Sequence, residues 1–125
     1  MAPKIMLWIP NQSIQELVKA VLIETKYNVT LVDNQSFQGD SLYLENFALF
    51  LLDMEVYLEQ TDLLIPFIAK FRRLANGKVV ILSKPEFYPI VQKNELQIHQ
   101  LADHVLFYPI DKYELLENVK RYVIV

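Results

Sequence analysis

Short apolar runs recur along this chain at intervals of about twenty to thirty residues. Each run is rich in β-branched or aromatic residues, and most are continuous rather than alternating, as in strands that are covered on both faces. The four strong runs are residues 5–9, 29–32, 47–52 and 79–82, and a weaker one is 104–108. The pattern therefore predicts five short, buried strands.

Helical spacing fills most of the intervals between these runs. After the good cap residues Asn11 and Ser13, apolar side chains in 14–22 follow the i, i+3, i+4, i+7 rule. A second helical stretch, 63–74, contains Pro66, which we expect in the first turn because a proline deeper in a helix breaks the hydrogen-bond ladder.

The last helical stretch opens with Asp111 and Glu114, a variant of the capping box. Asn76 and Gly77 form a fitting stop signal for the helix before them. Segments 35–45 and 86–100 carry weaker helical patterns, because glycine, serine and proline interrupt them.

Strands that alternate with helices predict a parallel sheet with helices on both faces, joined by right-handed crossovers. Five strands in 125 residues suit a flavodoxin-like (βα)5 doubly wound fold in three α/β/α layers, built as a single domain over residues 1–125. The chain could also be the N-terminal part of a longer protein. In such sheets ligands and chemistry gather at the carboxyl ends of the strands.

Composition removes several classes of function. The 12 basic and 15 acidic side chains give a net charge of −3, which argues against a dedicated nucleic-acid binder, so nucleic acid is expected only through another domain. Cysteine is absent, which removes thiol nucleophiles and thiolate metal sites. The only two glycines, Gly39 and Gly77, are far apart in the sequence, whereas phosphate-binding loops need several close together. This excludes P-loop enzymes and enzymes with the dinucleotide-binding fingerprint.

The sequence also bears on the location of the protein. The longest purely apolar stretch, 47–52, is far short of the ~20 residues that cross a bilayer, and the N-terminus lacks the features of a signal peptide. Together with the missing cysteines, this favours a cytoplasmic protein without a membrane partner.

The strand ends carry a family resemblance. Residues 4–14 resemble the opening strand and first helix of a bacterial response-regulator receiver domain of two-component signalling. Residues 51–53 are similar to the strand that carries the phospho-accepting aspartate, here Asp53, and 80–83 to the strand that ends in a hydroxyl residue, here Ser83. The run Leu-Ala-Asp-His-Val-Leu-Phe-Tyr-Pro at 101–109 is similar to the family's Gly-Ala-Asp-Asp-Tyr-Leu-x-Lys-Pro segment.

The departures from the family pattern fall on its chemistry. The family's acidic pair falls on Ile9 and Pro10, its lysine before the last-strand proline on Tyr108, and its mobile aromatic on Val105. Phosphoryl transfer to a carboxylate needs Mg²⁺ and oxygen ligands to hold it. Neither Ile9 nor Pro10 offers a side-chain oxygen, and Asn11 offers a neutral one beside the family's site.

These departures predict an atypical member, or pseudo-receiver. It is a non-enzymatic signalling module without a cofactor, in which Ile9, Pro10, Asn11, Ser83 and Tyr108 form a vestigial site. Asp53 remains the phospho-acceptor candidate, although it could simply cap a turn or pair with Lys84. Burial beside apolar Ile9 is expected to raise the pKa of Asp53. The Ser83 hydroxyl is expected to bond to nearby backbone.

Two other functions stay open. A working receiver could accept phosphate on Asp53 with Mg²⁺ in an unusual shell, in which Asn11 and Ser83 would matter. A small flavodoxin-like enzyme or ligand binder is disfavoured, because the phosphate of FMN needs a donor-rich loop after the first strand and residues 10–13 are a poor one.

Aromatic residues predict where a protein partner binds. Phe107, Tyr108 and Tyr113 cluster around the fifth strand and the last helix, and the resemblance implies that this face is the usual partner surface of receivers. Aromatic side chains are favoured interface anchors. The partner could be another protein or a second copy, in a homodimer through the last two helices and strand five.

Overall fold

The computed structural model describes residues 3–33, 44, 46–109 and 111–123, and these contain one sheet of five parallel strands. The strands lie in the order β2-β1-β3-β4-β5, so the chain winds outward in both directions from β1. Their bounds are β1 (Lys4–Trp8), β2 (Asn28–Leu31), β3 (Phe47–Asp53), β4 (Lys78–Ser83) and β5 (His104–Phe107). Each predicted strand is present within one residue at either end, and the flavodoxin-like doubly wound prediction is confirmed.

Six helices lie in the described parts of the chain: α1 (Gln12–Glu24), α2 (Met54–Glu59), α3 (Thr61–Leu74), α4 (Tyr88–Lys93), α5 (Glu95–Leu101) and α6 (Lys112–Tyr122). The three clear helical patterns correspond to α1, α3 and α6. The weaker segment 86–100 is divided between α4, α5 and a short 3-10 helix at Pro85–Phe87, and the short α2 was not predicted. The weak pattern at 35–45 falls almost wholly outside the described residues. None of these helices has the length and apolarity that a bilayer span needs.

The sheet separates two apolar cores, which makes the fold three-layered. On one face α2, α3 and α5 pack around a cluster of rings, with Phe50 5.4 Å from Phe67 and 5.6 Å from Phe71 between centroids. On the other face α1 and α6 pack on alternate strand residues such as Leu51 and Leu82. The helices cover both faces, so the strands carry the continuous apolar runs seen in the sequence.

The position of Pro66 differs from the prediction. Helix α3 begins at Thr61, which makes Pro66 its sixth residue rather than part of its first turn. The missing N–H would have bonded to the carbonyl of Asp62. Both Pro66 and Asp62 lie on the exposed side of α3, where water can serve that carbonyl.

Gly77 permits a close approach between the chain entering β4 and the start of β3. A Cβ atom at Gly77 would lie 2.7 Å from the carbonyl oxygen of Phe47 and 2.9 Å from the ring of Phe71. The left-handed backbone after α3 belongs to Asn76, with φ of 56°. The predicted stop signal is confirmed, with turning assigned to Asn76 and close packing to Gly77.

Candidate functional site

The sheet brings the predicted site residues to one edge. Parallel register places Trp8 beside Leu52 and Ser83 beside Phe107, so the residues that end neighbouring strands lie side by side. Ile9 follows β1 and Tyr108 follows β5, while Asp53 and Ser83 end β3 and β4. This is the carboxyl edge, where doubly wound folds bind their ligands.

Asp53 is a buried helix cap. It is the last residue of β3 and the N-cap of α2, and its Oδ1 accepts a hydrogen bond of 2.9 Å from the backbone N–H of Glu55. Only 2% of its surface is exposed. Burial raises the pKa of the Asp53 carboxyl above its ordinary value, and the Glu55 charge adds to the rise, against the lowering effects of the backbone bond and of Lys84. The direction expected from the sequence is thus found.

Lys84 forms an ion pair beside Asp53 but not with it. The Lys84 Nζ lies 2.9 Å from Oε1 of Glu55, and both side chains are partly exposed. The bond to Glu55 and the Glu55 charge raise the pKa of Lys84. The pairing of Lys84 with Asp53, one of the readings open in the sequence, is therefore replaced by a pairing with the carboxylate two residues further on.

Ser83 and Tyr108 are turned toward the protein interior. Ser83 is fully buried, and its Oγ donates to the carbonyl oxygen of Lys84 at 3.1 Å, as expected for a hydroxyl bonded to nearby backbone. The backbone N–H of Tyr108 donates to the carbonyl of Ser83 at 2.8 Å. The Tyr108 hydroxyl is buried close to Asp53 but outside hydrogen-bond geometry, and it bonds to no other described residue. Burial, followed by the Asp53 charge, raises the pKa of this hydroxyl.

The corner after β1 offers little to a cation. Ile9 is 1% exposed and packs in the core with α1, and Pro10 lies at the surface without a polar side-chain atom. Asn11 is the N-cap of α1, where its Oδ1 accepts the N–H of Ile14 at 3.1 Å. The one neutral oxygen that the sequence offered near the site is therefore already bonded within the helix.

Magnesium does not fit the residues that stand at this edge. Mg²⁺ requires several oxygen ligands in near-octahedral order. The Asp53 carboxylate is bonded to the Glu55 amide, the Glu55 carboxylate to the Lys84 ammonium, and the Asn11 amide oxygen to α1. Across the described residues, no three His, Asp or Glu side chains are grouped as a metal site. These polar side-chain atoms form hydrogen bonds and an ion pair within the chain instead.

The predicted partner surface is divided by the sheet. Successive residues of a strand point to opposite faces, so Phe107 and Tyr108 cannot share one. Phe107 meets the ring of Tyr88 edge to face at 5.4 Å, whereas Tyr108 packs with the core under α1 and α6. Tyr113 stands on α6 with 81% of its surface exposed. Tyr88 and the half-buried Phe107 thus lie on one side of the edge strand β5, and Tyr113 lies on α6 on the other side. We call these three aromatic residues, which flank β5, the β5–α6 surface.

Two residues of these sites, Glu55 and Tyr88, are not among those that the sequence predicts. Glu55 lies in the first turn of α2, two residues after the cap Asp53, and no pattern in the sequence marks that helix. No pattern marks Tyr88 either, because its contact with Phe107 joins residues from separate elements.

Comparison with known proteins finds likeness only in structure. No family model matches the chain, and no curated protein matches it. A response regulator from Thermotoga maritima is similar with a TM-score of 0.74 and 22% identity, over 98% of each chain. A CheY-like receiver domain protein from Methanospirillum hungatei is similar with a TM-score of 0.69 and 22% identity, over 98% of this chain and 94% of the other.

A structure described as adenylate cyclase from Rhodopirellula baltica is also similar, with a TM-score of 0.68 and 15% identity, over 98% of this chain and 88% of the other. At these identities the likeness concerns architecture. The strand order, the buried strands and the structural neighbours together show that this chain has the fold of a response-regulator receiver domain.

Proposed function

We propose that this chain is a pseudo-receiver: a single receiver-like signalling domain that acts through protein contacts, without a phosphorylation cycle and without enzymatic activity. The observation that carries the proposal is that the polar side chains at the carboxyl edge of the sheet form hydrogen bonds and an ion pair within the chain. Asp53 caps α2, and Ile9 and Pro10 stand where the family has its acidic pair. A module of this kind works in the cytoplasm, in keeping with the cysteine-free composition.

The chemical reason is charge. A phosphoryl group that approaches Asp53 brings anionic oxygens toward a buried carboxylate, with Glu55 as a second anion beside it. The family neutralises this charge with Mg²⁺ and a lysine. Here Tyr108 stands in place of the lysine and supplies no cation, and the nearby ammonium of Lys84 is bound to Glu55. The uncompensated charge opposes transfer.

Exposure to Mg²⁺ and acetyl phosphate tests the proposal directly. We expect the intact mass of the protein to show no phosphoryl adduct, while an active receiver treated in parallel is modified. Asp53→Asn is the matched control, because the amide keeps the capping oxygen and cannot form an acyl phosphate. A stoichiometric adduct on the native chain that this substitution abolishes would overturn the proposal.

A working receiver that is phosphorylated on Asp53 is the second candidate function. The observation that favours it is the Glu55 carboxylate near Asp53. If Lys84 released Glu55, two carboxylates would stand at the edge, and Mg²⁺ could then bind in an unusual shell. Trp8 ends β1, one residue before Ile9, and reports on this corner. Under the first proposal its fluorescence does not change with Mg²⁺ in the native chain, whereas a saturable change that Glu55→Gln removes would support the second.

The β5–α6 surface is the proposed partner site. Tyr113 is 81% exposed and Tyr88 50% exposed, and aromatic side chains bury much area at small entropic cost. We favour a different protein as the partner, and a homodimer through α5, β5 and α6 is the alternative. A photo-crosslinking residue at position 113 should give one discrete heterologous adduct that Phe107→Ala weakens. The same residue at Leu74, on α3, is the control, and equal labelling at both positions would contradict the assignment.

A further inference from the structure

A polar cavity opens at the amino edge of the sheet, opposite the edge that holds Asp53. Its volume is about 400 Å³, and it lies where the starts of β3 and β4 meet the ends of α3 and α6. We call it the amino-edge cavity. Its polar lining side chains all carry a hydrogen-bond donor, and they are Asn46, Asn76, Lys78 and Tyr122. The remaining lining residues in the described part of the chain are apolar, and none is acidic.

Backbone geometry holds two of these donors at neighbouring strand starts. Asn46 stands directly before β3 and Asn76 two residues before β4, and both have a left-handed backbone, with φ of 71° and 56°. Gly77 brings the two strand starts together, because a Cβ atom there would lie 2.7 Å from the carbonyl oxygen of Phe47. The two asparagines therefore stand on adjacent walls of the cavity.

A bulge in β3 adds space at the same place. Lys4 of β1 pairs with Phe47 and the next residue, Ile5, pairs with Leu49, so Ala48 has no partner in β1. Ala48 lines the cavity, and its side chain is a single methyl group. Bulges are common beside binding sites, where they interrupt regular pairing and redirect side chains.

The donors of the cavity are not used inside the protein. Within the described residues, no hydrogen bond or ion pair is formed by the side chains of Asn46, Asn76, Lys78 or Tyr122. The ring of Tyr122 stacks on His104 at 5.9 Å between centroids, a contact that leaves its hydroxyl unused. A ligand can therefore replace water on these donors without breaking a bond within the chain, in contrast to a ligand at the carboxyl edge.

Positive charge surrounds the cavity. Lys78 lines it, and the Nζ of Lys4 lies 4.6 Å from the ring centre of Phe47, which forms part of its wall. The helices that end beside it carry basic residues in their last turns, namely Arg72, Arg73, Lys120 and Arg121. Arg72 is paired with Asp103, and the other three suit the negative ends of their own helices. Lys4 and Lys78 stand at strand starts, so their charge remains for a ligand.

Unused donors and positive charge together select a phosphate group. A phosphate monoester presents three acceptor oxygens and a charge of about −1.5 to −2 near neutral pH, so it can bind several donors at once. Lysine is a regular partner of phosphate as a point charge. The volume lies within the range of about 300–1,000 Å³ that is typical of small-molecule pockets, which leaves room for an organic part. The donors are side chains, so no glycine-rich loop is needed.

We propose that the amino-edge cavity binds a small phosphate monoester, with Lys78 as the charged contact and Asn46, Asn76 and Tyr122 as hydrogen-bond donors. The site lies at the edge of the sheet opposite Asp53. It therefore does not depend on whether Asp53 is phosphorylated, and it leaves the β5–α6 surface open to a protein partner.

Titration of the native chain with glycerol phosphate, at an ionic strength held constant with sodium chloride, tests the site. We expect saturable binding by isothermal titration calorimetry, and in NMR spectra the backbone amides of Asn76 and Gly77 should shift as the ester is added. Inorganic phosphate is the second probe. It should bind more weakly than the ester, because it fills only part of the cavity.

Two matched pairs of substitutions assign the binding to the cavity. Lys78→Met should weaken binding of the ester at least about tenfold, because it removes a charge-assisted hydrogen bond. Lys93→Met, at an exposed position on α4, removes the same charge and should leave binding unchanged. Tyr122→Phe keeps the ring and loses the hydroxyl, and should weaken binding about two- to tenfold, whereas Tyr113→Phe should have no effect.

Circular dichroism of each variant should stay native, since the lysines are exposed and the tyrosine changes keep the ring. The assignment would be refuted if neither phosphate bound saturably, or if the ester bound no more tightly than inorganic phosphate. It would also be refuted if Lys78→Met and Lys93→Met had equal effects, which would indicate attraction to net charge alone.

Discussion

At the carboxyl edge of the sheet polar side chains are buried and bonded to their own chain, whereas on the outer surfaces of α1 and α6 large apolar side chains stand in water. Asp53 and Ser83 are 2% and 0% exposed, against 63% for Leu17 and 81% for Tyr113. Ligands at the edge would have to displace internal hydrogen bonds, while association at the outer surfaces would remove apolar area from water. The difference is what the proposed function requires, namely a carboxyl edge closed by its own bonds and outer surfaces that can bind another protein.

The largest expected effect is on stability, when a leucine is replaced by alanine in each of the two regions. Leu82→Ala, at a fully buried position next to Ser83, should lower the free energy of unfolding by about 2–5 kcal/mol, because it leaves a cavity. Leu17→Ala should change it by less than about 0.5 kcal/mol. Urea unfolding followed by circular dichroism measures both values. Equal losses would show that Leu17 is packed as firmly as the edge, and the contrast between the regions would fail.

A smaller effect isolates the structural task of Asp53. Asp53→Ala removes the acceptor that caps α2, whereas Asp53→Asn keeps an oxygen in the same place. The alanine variant should therefore be about 1 kcal/mol less stable than the asparagine variant, the usual worth of an N-cap. The comparison is made by urea unfolding at neutral pH. Identical stabilities would mean that the Asp53 carboxyl does not cap α2. The carboxyl would then be free to bind a ligand or to react.

The smallest effect is a dependence on pH. Burial raises the folded-state pKa of Asp53 above its ordinary value of 3.8, so the folded protein binds this proton more tightly than the unfolded chain does. The contribution of Asp53 to stability is therefore fully present below pH 3.8 and is lost as the pH rises through the folded pKa. Asp53→Asn lacks this loss.

Unfolding free energies of the native chain and of Asp53→Asn, measured over a pH series, give the difference directly. The native chain should weaken relative to the variant between pH 3.8 and the folded pKa and then stay parallel to it. A difference that is flat, or that favours the native chain as the pH rises, would show that Asp53 is solvated or paired with a cation.

Much of the fold could be predicted, because short continuous apolar runs and helical spacing report burial directly. The five predicted strands agree with the observed ones within a residue at either end, and caps and spacing predict α1, α3 and α6. The exception was Pro66, since the helix start depends on α2 ending at Glu59 just before it. No local pattern in the sequence marks α2, whose six residues are fixed by the cap at Asp53 and by packing under the sheet.

The candidate site was only partly predictable. Its members could be named from strand ends, because parallel strands bring their carboxyl ends together. The partners of those members could not, since Lys84 had Asp53 and Glu55 within reach and the distance between side chains decided the pairing. Likewise Phe107 and Tyr108 are neighbours in sequence and are separated by the sheet.

The sequence by itself determined which segments are buried, that Ile9, Pro10 and Tyr108 follow predicted strands without bringing a charge there, and that the chain contains no thiol. These follow from residue identity and periodicity, which need no knowledge of neighbours distant in the chain. Tertiary structure alone decided that Asp53 is a buried cap, that Glu55 holds Lys84, and that Leu17 and Tyr113 are left exposed on the outer surfaces. Burial and pairing depend on which elements meet, and that is fixed only when the whole chain is packed.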